Sequence, residues 1–172
     1  MFSIDSHILP FLDPFYEIAT PVQALDGSTI WQRVYRSEHV ADNLNPVWKT
    51  AEIEVDLLCH CELDRPLKVS IFDWEASGKH NPMGHFLTSV NGLLEAKARK
   101  EGDKWDTSKS FTTIGEDGKD YGKIVVSEAS MESRKDAAIS SKLKVSSSSI
   151  LHLTLEGVDM ANVEGWFGCS GK

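Results

Sequence analysis

Basic residues are in short supply. Eighteen Lys and Arg stand against twenty-six Asp and Glu, a formal charge of −8. A surface of that sign repels nucleic acid and bare anionic lipid, so a nucleic-acid partner is excluded and membrane contact requires a local basic patch or a bound cation. Long apolar runs are missing as well: none approaches the roughly 18 residues of a spanning helix. Residues 1–15 lack the basic region, apolar core and cleavage site of a signal peptide. Cysteine is scarce and odd in number (Cys59, Cys61 and Cys169), which points to a reduced, cytoplasmic compartment. Cys59-His60-Cys61 falls short of the four ligands of a closed zinc site and reads as the end of a strand. There is no Gly-rich phosphate loop, no Gly-x-Ser-x-Gly and no Ser/His/Asp set with a telling spacing, so no enzyme is expected.

What is present is the material of one globular core. The chain has 172 residues, 41% of them hydrophobic, with five Trp and seven Phe, enough for one domain and too little for two. Short strand-like runs follow one another: 15–22, then Asp26-Gly27 as a hairpin signal, then 29–36. Residues 48–57 alternate, with Glu52, Glu54 and Asp56 against Ile53, Val55 and Leu57. Residues 67–72, 85–90, 111–114 and 121–129 continue the series. One helix is expected over 91–100, capped by Asn91 and ending in basic residues. Strands joined by turns, with almost no helix, predict an antiparallel sandwich or barrel.

Residues 131–149 change character, ending in a run of serines, and read as a flexible Ser-rich linker. Structure resumes in Ile150-Leu151-His152-Leu153-Thr154-Leu155-Glu156, which alternates as a strand and runs into Asp159 and then Gly165-Trp166-Phe167-Gly168.

Three separated motifs carry chemistry: Leu12-Asp13-Pro14-Phe15-Tyr16, Asn43-Leu44-Asn45-Pro46-Val47-Trp48-Lys49, and Phe72-Asp73-Trp74-Glu75-Ala76-Ser77-Gly78-Lys79-His80-Asn81-Pro82-Met83-Gly84. Each sets acidic or amide side chains and turn formers beside a strand. In order, spacing and residue type they resemble the C2 domain, and within it the second C2 domain of the copines, over residues 12–129. The resemblance implies an all-β, antiparallel, eight-stranded C2-type sandwich with one short helix. It divides the chain into 1–130, a C2 domain lacking its first strand; 131–149, the linker; and 150–172, the first strand and loop of a C2 domain. That last piece reads either as the start of a further repeat or as a permuted strand that fills the vacant slot of its own sandwich, or of another copy in a strand-swapped oligomer.

The resemblance also implies function. Family members gather calcium ligands from two loops at one end of the sandwich, which carries over here to Asp13, Asp73, Glu75 and Asn81, with Ser77 as a lesser donor. Asp5, Asp159 and Glu164 compete for the remaining position. Calcium takes six to eight oxygens, so lipid phosphate would complete the shell and recruit the chain to an anionic phospholipid membrane from the cytoplasm. Glu75 and Asn81 stand where the family typically has Asp, which favours the alternative of a calcium-independent module for protein partners. Lys49 and Lys68 form a candidate basic patch, Met83 is expected in the core, and Trp166 and Phe167 are candidates for insertion into headgroups. His60, His85 and His152 are expected to be sheet residues.

Overall fold

The computed structural model describes residues 12–60, 62–134 and 148–161. Its main strands are β1 (Pro14–Gln23), β2 (Thr29–Arg36), β3 (Ala51–Glu54), β4 (Leu67–Asp73), β5 (Asn81–Thr88), β8 (Phe111–Ile114), β9 (Asp120–Arg134) and β10 (Ser148–Val158); β6 (Lys100–Glu101) and β7 (Lys104–Trp105) form a small ribbon. All named pairings are antiparallel, in the order β2-β1-β4-β5-β8-β9-β10-β3. The β5–β8 link is one pair, His85 opposite Ile114, and it divides the ladder into two four-stranded layers. The all-β, eight-stranded C2-type sandwich expected from the sequence is the observed fold.

Period-two alternation builds the core between the layers. Leu67, Val69 and Ile71 point inward from β4, and Leu151, Leu153 and Leu155 from β10; all are buried, as are Ile124 and Val126 of β9. Met83 is fully buried, as expected of a core residue. Trp48 is buried too, its indole N–H donating to the Pro14 carbonyl at 3.0 Å and its ring meeting Tyr16 edge-on.

β10 lies between β9 and β3 of the same chain, with Leu151 opposite Met131 on one side and Ile53 on the other. The two long strands reach into the stretch read as a linker, since residues 131–134 and 148–149 belong to them. Residues 135–147 lie outside the described residues.

Three local expectations are corrected. Residues 48–57 are not one strand: β3 ends at Glu54 and helix α1 (Val55–Cys59) begins. Val55, Leu58 and Cys59 are its buried residues, a spacing of three and four that suits a helical face better than a sheet. His60 is therefore the left-handed C-cap of α1, at φ 48°, and not a sheet residue. The second helix, α2, is Val90–Glu95, shorter than 91–100, because Lys97 already bridges Val126 and β6 starts at Lys100. Its cap is Ser89, whose hydroxyl accepts the Gly92 N–H at 3.0 Å, while Asn91 sits inside the first turn and donates to Asp64.

Candidate functional site

Antiparallel pairing brings the three motifs to one end of the sandwich. β1 starts at Pro14, opposite Asp73, the last residue of β4; Asp73 is opposite Asn81, the first residue of β5. The backbone N–H of Asp13 donates to Asp73 Oδ1 at 2.8 Å, and the Asp13 carbonyl accepts the Trp74 N–H at 3.0 Å. Asp13 and Asp73 therefore converge, sixty positions apart in sequence.

The side chains at this end act as acceptors for backbone and amide donors. Asp13 Oδ1 accepts the Asp42 N–H at 2.9 Å. Glu75 Oε1 accepts the Asn81 side-chain amide at 3.3 Å, and the Glu75 N–H donates to His80 Nδ1 at 3.1 Å. Ser77 Oγ accepts the Lys79 N–H at 3.2 Å. Asp73 is almost completely buried, at 1% exposure. Among the described residues no group of three or more His, Cys, Asp or Glu could hold a metal ion. Calcium needs several carboxylates turned to one point; here Asp73 is buried and Glu75 Oε1 accepts from Asn81. Asp5, Glu164, Trp166, Phe167, Cys61 and Cys169 lie outside the described residues.

The asparagine turn ties the C-terminal strand to the same end. Asn43 Oδ1 accepts the Asn45 N–H, and Asn45 Oδ1 accepts the Asp159 N–H, both at 2.8 Å. The carbonyls of Leu44 and Pro46 accept the N–H groups of Met160 and Gly157.

A second constellation covers the outer face of β2, β1 and β4. Arg33 is opposite Ala19, and Ala19 opposite Lys68, so the three form one row across the strands. Lys68 Nζ stands 5.6 Å from the centre of the Trp31 ring. Glu17 Oε1 accepts from both Arg33 and Arg36 at 2.7 Å, and the Arg36 guanidinium lies 4.7 Å over the Phe15 ring. Strict alternation would send Arg33 and Arg36 to opposite faces. A bulge, visible as a register shift between Ile18 and Ala19, brings both to Glu17. Among the described residues of β2, β1 and β4, three cationic side chains then share this face with one carboxylate, Glu17. The expected pairing of Lys49 with Lys68 is corrected: Lys49 precedes β3, at the far end of the strand order from β4, and its N–H donates to Glu38.

The C2 domain family matches residues 9–107. The chain belongs to the C2 domain family. C2 domains are typically non-catalytic modules that bind membrane lipids, often with calcium, or mediate protein interactions, and binding is the class of function this fold brings. A solved structure named BON1-C2B is similar at 20% identity, covering 90% of this chain and 83% of that one, with a TM-score of 0.48. β8, β9 and β10 lie beyond the matched stretch of this C2 domain, yet they supply three of its eight strands. No described helix is long and apolar enough to cross a membrane.

The loop end was readable as a meeting of motifs because each motif sits at a strand terminus. The cationic face was not, since its grouping depends on the bulge. Its one visible signal was Trp31 and Arg33 at period two on the 29–36 strand.

Proposed function

We propose that this C2 domain docks on anionic phospholipid membranes from its cytoplasmic side through the outer face of β2, β1 and β4, without requiring calcium. The observation that carries this is the row of Arg33 and Lys68 beside Trp31. On a chain of net charge −8, membrane contact needs a local basic patch or a cation, and this face supplies the patch. Lipid phosphates would meet Lys68 and the two arginines, while the part-exposed Trp31 sits at headgroup level as an amphipathic ring does. Leu87, opposite Lys68 and exposed, adds apolar contact. The order of the three motifs supports a copine-like C2 domain as the finer family reading.

Co-sedimentation with phosphatidylserine vesicles tests it. Pelleting in chelator, weakened by Lys68→Glu, supports the proposal; no pelleting in chelator sinks it. Basic residues near such a surface contribute about 1 kcal/mol each, so a charge reversal weakens binding by roughly ten- to thirtyfold. The second reading, calcium as a bridge at Asp13, Asp73, Glu75 and Asn81, draws on the convergence of Asp13 and Asp73. It requires pelleting only when calcium is added, and loss of that pelleting in Asp73→Asn.

A further inference from the structure

We infer that the loop end of this C2 domain is closed by its own side chains in place of a cation: Asp73, Asp13, Asn43 and Asn45 act as a hydrogen-bonded clamp that joins β1, β4 and β10. The clamp has two arms. In the first, Asp73 Oδ1 accepts the Asp13 N–H and Asp13 Oδ1 accepts the Asp42 N–H, fixing the start of β1 to the end of β4 and to the 37–47 loop. In the second, Asn43 Oδ1 accepts the Asn45 N–H and Asn45 Oδ1 accepts the Asp159 N–H, fixing that loop to the end of β10.

The backbone at both termini of the clamp explains why it is needed. Among the described residues only Asp42, His60 and Asp159 are non-glycine residues at positive φ, and the clamp caps two of them, at φ 54° and φ 51°. Left-handed backbone is disfavoured for side chains other than glycine unless local hydrogen bonds hold it, and Asp and Asn are the residues that tolerate it. An ion recruited by Asp13 would compete with the Asp42 N–H for the same carboxylate. An ion recruited by Asp73 would have to expose a carboxylate that is now buried. The two reaching side chains, Glu75 and Asn81, already satisfy each other. The sign of one effect separates a clamp from a metal site. Carboxylates gathered for an absent cation repel, and removing one relieves that repulsion. Carboxylates that cap backbone N–H groups stabilise the chain, and removing one leaves donors unmet.

This inference is independent of the lipid-binding face, and its test is read on the whole chain without lipid. Thermal unfolding and amide spectra are recorded in chelator and in about 5 mM calcium, above the dissociation constants of weak calcium modules. The clamp predicts that Tm moves by less than about 1 °C, because an ion that does not bind cannot stabilise, and that the amides of Asp13, Asp42, Asn81 and Asp159 do not shift. A saturable shift of these amides, or a rise in Tm of several degrees, overturns it. In chelator, Asp13→Ala lowers Tm if the clamp holds; an unchanged or raised Tm overturns it. Should Asp13→Ala fail to fold, the calcium titration of the unaltered chain decides alone.

Discussion

Asn45 holds Asp159 across 114 positions of sequence: its side-chain oxygen accepts the Asp159 backbone N–H at 2.8 Å, where the chain turns left-handed at the end of β10. A residue of the asparagine turn thus caps the C-terminal strand. The same turn supplies two carbonyls and an isolated bridge, Val47 opposite Glu156, to that strand.

Removing this cap has a measurable cost. Asn45→Ala leaves the Asp159 N–H without its acceptor and lowers stability by about 1 kcal/mol, the ordinary net value of one hydrogen bond. Urea unfolding of the two chains checks it. An unchanged midpoint would mean that the turn does not restrain β10.

The central place of β10 gives a larger expectation. Leu153 is fully buried, in the row between Ala129 of β9 and Ala51 of β3. Leu153→Ala should destabilise the whole domain by about 2–5 kcal/mol, as core truncations do. Were β10 only appended to an independent domain, the loss would be confined to the C-terminal residues, and hydrogen exchange of β4 amides would not change.

Gly84 marks the junction of the layers. It lies at φ 137°, and a Cβ there would come within 2.7 Å of the Ile114 backbone, beside the single pair that links β5 to β8. Gly84→Ala therefore combines a strained backbone with a clash against main chain. Its cost should exceed the ~1 kcal/mol of an ordinary glycine effect, visible as a lower denaturation midpoint.

Alkali should unfold the domain through Tyr16. Burial pushes its phenol far above the ordinary value near 10, and the neighbouring Tyr35 and Glu38 add to the shift. The folded state thus holds this proton to a higher pH than the unfolded chain does. The stability it supports is complete below pH ~10 and is lost progressively above it, because only the unfolded form ionises there. Tyr16→Phe should flatten this decline in denaturation curves taken from pH 9 to 11. An equally steep decline in the variant would assign it to other groups.

The sequence carried the fold further than the site. Strands β1, β2, β4 and β8 were legible within a residue or so because alternation and turn signals agree there, as at Asp26-Gly27, where Asp26 caps the Ser28 N–H and Gly27 takes φ 81°. Val55–Cys59 was misread because Glu52, Glu54 and Asp56 keep an alternating charge pattern through the point where burial switches from period two to a helical spacing. At the loop end, the motifs located the meeting of Asp13 and Asp73, and residue type alone suggested a cation. What the oxygens face depends on backbone N–H groups supplied by Asp42 and Asp159, and nothing in a linear pattern states that. The cationic face was hidden for a similar reason, since one bulge decides that Arg33 and Arg36 are neighbours.

The most direct measurement is an amide-resolved titration of the chain with short-chain anionic phospholipid in chelator. Lipid docking on the outer face of β2, β1 and β4 predicts saturable shifts at Trp31, Arg33, Lys68 and Leu87, with the amides of Asp13, Asp73 and Asn81 unmoved. Shifts confined to the loop end, or none until calcium is added, would contradict it.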